Sequence, residues 1–220
     1  MTKEEFRRAT GVSEETAGRW HSPLMVAMEV CGIDTPERRA HFLGQTGAES
    51  GGFRHLEESF NYSVEGLRIF GHRLTEEQRQ RLGRQPGEKV VPPERQKEIA
   101  CLVYGGRYGN NRTGDGWTFR GRGLIQLTFR DNYLACGRAL GLDLENQPEL
   151  LLEDMNAACA AGWFWHHHNA SGLADRDDVS GLTRLINGGL HGLEERTRLT
   201  LQAMFVLLPD PHKNHKETIA

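Results

Sequence analysis

Asp34-Thr35-Pro36-Glu37-Arg38-Arg39-Ala40-His41-Phe42-Leu43-Gly44-Gln45-Thr46-Gly47-Ala48-Glu49-Ser50-Gly51-Gly52 is the stretch on which the reading of this chain turns. Pro36 suits the first turn of a helix, where a backbone N–H has no partner to lose, and Thr35 or Asp34 can cap it. Phe42, Thr46 and Glu49 then fall at i, i+4 and i+7, so they share a face that Phe42 turns toward a core. Gly51-Gly52 stops the helix directly after Glu49. The pattern predicts a carboxyl on the last turn, at the edge of a buried face, where apolar surroundings favour its neutral form.

Glu58 follows in the connecting piece Phe53-Arg54-His55-Leu56-Glu57-Glu58-Ser59-Phe60-Asn61-Tyr62. In so polar a segment it is expected to stay ionised and able to take a proton from water. Two carboxyls whose surroundings separate their pKa values can share acid and base work. The chain has 30 acidic residues, so spacing alone does not single out this pair, and by spacing Glu57-Glu58 reads as solvated surface charge.

Further out, Leu24, Met25, Met28 and Cys31 recur at helical spacing, so residues 22–46 read as two helices broken at Asp34-Thr35-Pro36. Ser63 can cap a helix carrying Val64, Leu67, Ile69 and Phe70. Residues 72–98 are highly charged and rich in Arg and Gln, with Pro86-Gly87 and Pro92-Pro93 as breakers, and read as a small solvated lobe of short helices. From Gly105 to Gly123, glycines and asparagines punctuate the chain around Tyr104, Tyr108, Trp117 and Phe119, which predicts a loop wall exposing aromatic rings; Trp117 there is as fit to stack on a ligand as to tuck into the fold. Leu124 to Thr128 reads as a short strand. Helices are expected at 131–140, 153–167, 179–187 and 191–207, with Trp163 and Trp165 in the core, and the polar tail Pro211 to Ala220 as frayed.

Lys+Arg of 27 against Asp+Glu of 30 leaves a formal charge of -3, which argues against a nucleic-acid binder that must neutralise phosphates. No apolar stretch is long enough to span a bilayer, and Met1 to Arg8 has no apolar run behind it, so neither stable membrane insertion nor a secretory leader is expected. Cys31, Cys101, Cys136 and Cys159 read as reduced thiols among apolar neighbours. Neighbouring residues of a helix point in different directions, so His166-His167-His168 reads as a solvated helix end and no metal site is expected. The glycine-rich loop lacks the Gly-Lys-Ser/Thr ending of a phosphate loop.

Four pieces carry a resemblance. Gln45 to Phe53 looks like the acid-bearing motif of glycoside hydrolase family 19, the chitinase family that includes phage endolysins. Gly121-Arg122-Gly123-Leu124-Ile125-Gln126-Leu127-Thr128, with Asp131-Asn132-Tyr133 after it, is similar to the second signature. Gln147-Pro148-Glu149-Leu150 leading to Trp163-Phe164-Trp165 resembles the third, and Ile186-Asn187-Gly188-Gly189 with Gly192 and Arg196 the fourth. The pieces stand in family order across roughly residues 40–200.

The resemblance implies a mainly α, lysozyme-like (α+β) fold with a cleft between a large lobe and a small inserted helical lobe. Residues 1–220 would form one catalytic domain, with residues 72–100 as the insert. It further implies Glu49 as proton donor, Glu58 as base, Thr128 as a hydroxyl that helps hold the attacking water, and Gln126, Asn132 and Asn187 as groups that bind the sugar or order the site. Arg196 would support the carboxylates. Inverting hydrolysis needs the two carboxyls roughly 6.5–9.5 Å apart and no cofactor. Plant members have a histidine where this chain has Ala48, and their glutamate after Asn-Gly-Gly is replaced here by His191 or displaced to Glu194. The acid-to-base interval is shorter than in plant enzymes, which leaves Glu57 as a rival base.

The expected substrate is the glycan strand of bacterial peptidoglycan, cut by an endolysin of N-acetylmuramidase type; chitin is the alternative. The expected protein is a monomer held in the bacterial cytoplasm until a separate holin-type pore releases it to the periplasm and wall.

Overall fold

A computed structural model describes residues 1–208; the tail reading for Pro211 to Ala220 lies outside the described residues. Eleven α-helices run in order: α1 Lys3–Thr10, α2 Glu14–Val30, α3 Pro36–Glu49, α4 Glu76–Leu82, α5 Pro93–Tyr104, α6 Asp115–Thr118, α7 Arg130–Leu140, α8 Asp154–His167, α9 Ser171–Ala174, α10 Val179–Asn187 and α11 Leu193–Leu207. Among the described residues, β pairing is limited to isolated bridges. The chain is mainly α, as expected, and no helix of the described residues is long and apolar enough to cross a membrane. It divides into two compact units, Met1–His55 with Ala158 onward, and Leu56–Ala157.

In the first unit α3 packs along α11, and α1 lies against α11 and α2. Thr35 caps α3 by accepting from the Arg38 amide at 3.2 Å, with Pro36 in the first turn. Phe42 meets Trp165 edge-on at 5.5 Å, so the face predicted from the spacing is the buried one. At the other end of α3, Gly51, Gly52 and Phe53 all take positive φ (57°, 75° and 63°). A bulky residue is strained there. Burial of the Phe53 ring against Phe6 and Trp20, and a bond from its amide to Ser50 Oγ at 2.9 Å, hold it in place. That sharp reversal ends α3 at Glu49.

The second unit is built around the Phe60 ring. Tyr62, Phe70, Tyr104 and Trp117 pack on it, inside a shell of Leu67, Leu74, Leu82, Val91, Ile99 and Val103. The helix expected after Ser63 is a 3-10 turn, Gly66–Arg73, with Ser63 Oγ accepting from the Gly66 amide at 3.0 Å. The charged segment 72–98 contributes Leu74, Leu82 and Val91 to this core. Its arginines and glutamines have a physical use: Arg79, Gln85, Arg95 and Gln96 donate to loop carbonyls that no helix satisfies, at Leu74, Gly83 and Val91 among others.

Two local expectations change. Leu124 to Thr128 is a tight turn and not a strand, closed by paired backbone bonds between Arg122 and Leu127 (3.1 and 2.8 Å), because Gly123 and Gln126 both take positive φ. The Gly105–Gly123 stretch is not a wall of exposed rings: Tyr108 is exposed, at 62%, but Phe119 is buried and Tyr104 and Trp117 are half-buried. Trp163 and Trp165 lie in the first unit's core. His166, His167 and His168 are exposed, with His167 stacked on Trp163 and His168 on Phe164.

Candidate active site

The residues singled out in the sequence fall into two clusters, one in each unit. In the first unit, Glu49 ends α3 and Arg196 stands on the first turns of α11. The Arg196 guanidinium is buried and fully engaged. Its Nη2 donates to Glu49 Oε1, its Nη1 to Gln45 Oε1 at 2.7 Å, and its Nε to the His191 carbonyl at 3.2 Å. Gln45 is itself buried one turn above Glu49. The Glu49 side chain is 15% exposed, so the helix does shield it. Its closest neighbour is nonetheless a cation, and the apolar wall expected to keep it neutral is not what it faces. His191 takes part through its backbone oxygen, and Glu194 is exposed and is not among Arg196's partners. Asn187 is exposed at the end of α10.

In the second unit the segment carrying Glu58 is pinned to the second signature. Glu58 N–H donates to the Gly121 carbonyl at 2.8 Å, and Gly123 N–H to the Leu56 carbonyl at 2.8 Å. The side chain then folds back: Tyr104 Oη donates to Glu58 Oε1 at 2.7 Å, and the Gly121 amide to Oε2 at 3.1 Å. A Cβ at Gly121 would stand 2.9 Å from Gln126 Oε1 and 3.2 Å from Glu58 Cβ and Oε2, so a side chain there would displace the two groups from their positions. Thr128 Oγ1 donates to the Gln126 carbonyl at 2.9 Å, Gln126 Nε2 to the Gly123 carbonyl at 3.0 Å, and Asn132 Nδ2 to the Thr128 carbonyl at 2.8 Å. Glu58, Gln126, Thr128 and Asn132 therefore share one turn-built cluster.

The surroundings of Glu58 differ from the solvated segment expected from the sequence. Burial pushes its carboxyl above the ordinary carboxylate value, and the Tyr104 hydroxyl, the Gly121 amide and the nearby Arg120 charge offset this only in part. The local sequence is polar, but the fold brings this side chain against Tyr104 and the Gly121 amide. Burial, and then the charge of Glu58, raise the Tyr104 hydroxyl as well, so it stays a proton-carrying donor. Tyr62 moves up for the same two reasons. A raised pKa suits a general base, because it brings proton affinity closer to working pH.

Glu57, the rival base, is committed elsewhere. Its Oε1 accepts from Arg120 Nη2 at 2.5 Å and from Arg122 Nε at 2.9 Å. Those two arginines are buried, and Trp117 stacks beneath Arg120 at 3.8 Å. Burial and the neighbouring Arg122 lower the Arg120 pKa, so Glu57 serves as the anion between two crowded cations. The sequence shows Gln45 only as a motif residue and Tyr104 only as a loop aromatic. Nothing local marks Gln45 as a partner of Arg196 or Tyr104 as a partner of Glu58, because each contact joins segments distant along the chain.

Comparison with known proteins places the chain in a family. The family model described as "Chitinase class I" matches residues 95–190. A glycosyl hydrolase family 19 domain-containing protein of Haemophilus influenzae is 37% identical over 186 residues, covering 81% of this chain and 84% of its own. Basic endochitinase B of Arabidopsis thaliana is 38% identical over 95 residues, 34% of this chain and 28% of that one. The solved structure of a bacterial family 19 chitinase superposes with a TM-score of 0.57 at 21% identity, covering 96% of each chain. The chain belongs to glycoside hydrolase family 19, and it is a glycoside hydrolase with that family's helical, lysozyme-like fold.

Proposed function

We propose that this hydrolase cuts the glycan backbone of bacterial peptidoglycan in N-acetylmuramidase fashion, with inversion at the anomeric carbon. Glu49 protonates the departing glycosidic oxygen. Glu58 takes a proton from the attacking water, which enters from the opposite face of the sugar. Thr128 already donates its hydroxyl proton to the Gln126 carbonyl, so its oxygen is left as an acceptor for that water. The observation that carries the reading is the hold on Glu58. Both its oxygens accept from fixed donors and the group is desolvated by burial, which leaves a carboxylate orientated and basic. Gln126, Asn132 and Asn187 are the proposed sugar-binding groups.

Two observations support peptidoglycan. The acid-to-base interval is nine residues, the short form noted in the sequence. The likeness to the bacterial relative also extends over most of both chains, whereas the likeness to the plant endochitinase spans 28% of that protein. Action as a monomer, and release to the wall through a separate pore, belong to the same proposal. Chitin is the second reading, favoured by the chitinase names of the plant relative and of the structural neighbour.

The deciding experiment is mass spectrometry of the fragments released from purified sacculi and, in parallel, from chitin. Reducing muramic acid ends, with labelled water oxygen in the α-anomer, are expected from sacculi. Glucosamine-ended products from chitin, with intact sacculi, would overturn the peptidoglycan assignment. Glu49→Gln keeps the shape without the transferable proton and should lower hydrolysis by roughly 10²–10⁴-fold while the protein stays folded. Near-normal turnover by that variant would remove Glu49 from the acid role.

A further inference from the structure

The first unit contains a second feature that the acid cluster does not use. A cavity of about 450 Å³ opens where the turn after α1, the Gly51–Arg54 reversal and the start of α11 meet. That volume is in the range of small-ligand sites. Helix α11 serves both places. Arg196 points to Glu49, while Glu195, Arg198 and Leu199 line the cavity.

Its chemistry is not that of a sugar subsite. Phe53 is the one ring in the lining, and it is buried against Phe6 and Trp20, so no aromatic face is offered to a pyranose. No carboxamide lines it either. The wall instead offers small apolar surface from Val12, Leu43 and Leu199 beside charge. Arg198 and Glu195 neutralise one another through two contacts of 2.7 Å. Arg54 differs: its Nε donates to the Gly51 carbonyl at 2.9 Å, and it has no carboxylate partner among the described residues. The tethered guanidinium keeps both terminal amino groups for a bidentate acceptor, the geometry that suits a carboxylate. The cavity thus carries one net positive charge, aimed by a backbone tether, above a wall fit for methyl-sized side chains.

We infer that this cavity binds the acidic stem peptide of peptidoglycan, with a peptide carboxylate on Arg54 and its alanyl side chains against Val12 and Leu199. The inference rests on the peptidoglycan reading, since chitin carries no peptide to fill such a site.

The test uses the full chain and a synthetic stem tetrapeptide, L-Ala-γ-D-Glu-diaminopimelate-D-Ala, followed by amide NMR. Shifts centred on Gly11, Gly51, Gly52 and Arg54 are expected. Arg54→Ala should weaken binding at least about tenfold, the effect of losing one charge-assisted pair, and Arg54→Lys should recover part of it. Arg54 is exposed, so both variants are expected to fold. Arg54→Ala should also slow digestion of intact sacculi several-fold and leave sacculi stripped of peptide by an amidase unaffected. No shifts at those amides, or equal affinity in Arg54→Ala, would overturn the site. Peptide bound at those amides by a protein that degrades chitin alone would uphold the site and sink the peptidoglycan reading. Wall digestion without peptide binding would do the reverse.

Discussion

Tyr104 donates its hydroxyl proton to Glu58 across 2.7 Å, and it reaches that carboxylate from α5, 46 positions along the chain. The bond favours the ionised carboxylate, against a larger desolvation effect that favours the acid. A base must be ionised to act, so the acid limb of kcat/KM is expected above the ordinary carboxylate value of 4.5. In Tyr104→Phe the ring still packs on Phe60 but the donor is gone. Its acid limb should move to still higher pH, with hydrolysis partly restored in alkaline buffer. A limb that stays put or moves down would show that Tyr104 does not tune this group.

Stability should carry the same signature. The folded-state pKa of Glu58 is raised, so the folded protein binds more protons than the unfolded chain between pH 4.5 and that raised value. The contribution of this residue is therefore fully present below pH 4.5 and is lost as pH climbs through the folded pKa. Glu58→Gln has no such titration. Its melting temperature relative to the parent should rise across that window and level off above it. A constant difference from pH 4 to pH 8 would contradict the burial described for this side chain.

The two adjacent glutamates should separate cleanly under mutation. Glu57→Gln leaves Arg120 and Arg122 buried beside one another with their shared anion gone. Glu57 is itself 37% exposed, so the cost should sit at the low end for a broken buried pair, roughly 2–3 kcal/mol in chemical denaturation. The folded fraction should keep most of its turnover. Glu58→Gln should do the opposite, losing turnover by roughly 10²-fold or more with little loss of fold. Equal catalytic losses would return Glu57 to contention as base.

What the sequence disclosed and what it hid follow from range. The α3 face, its Thr35 cap and its stop at Gly51 depend on neighbours within a turn or two, so spacing sufficed. The second signature was legible as a motif, but its shape was not, because positive φ at Gln126 has no marker in a sequence that alternates like a strand. The polarity of residues 54–59 misled about Glu58, since its surroundings are tertiary: Tyr104 reaches its carboxyl from 46 positions along the chain and Gly121 from 63. Glu49 misled in the other direction. An apolar face predicted an apolar wall, and the fold supplied a guanidinium from α11 instead.

Arg196 is the residue that makes this contact from α11. It joins Gln45, Glu49 and the His191 carbonyl with three separate nitrogens, so it both orients Glu49, the proposed acid, and ties α3 to the segment preceding α11. Arg196→Ala leaves the shielded Glu49 carboxyl group and a buried carboxamide without their donor, which should cost about 3–5 kcal/mol of stability. Arg196→Lys keeps the charge, yet a single ammonium cannot reproduce the planar fork that reaches three acceptors at once. That variant should fold, with a melting temperature nearer the parent's, and still lose roughly tenfold or more in kcat. A lysine variant with full activity would mean that charge alone is required at this position, and that the fork geometry around Glu49 has no part in turnover.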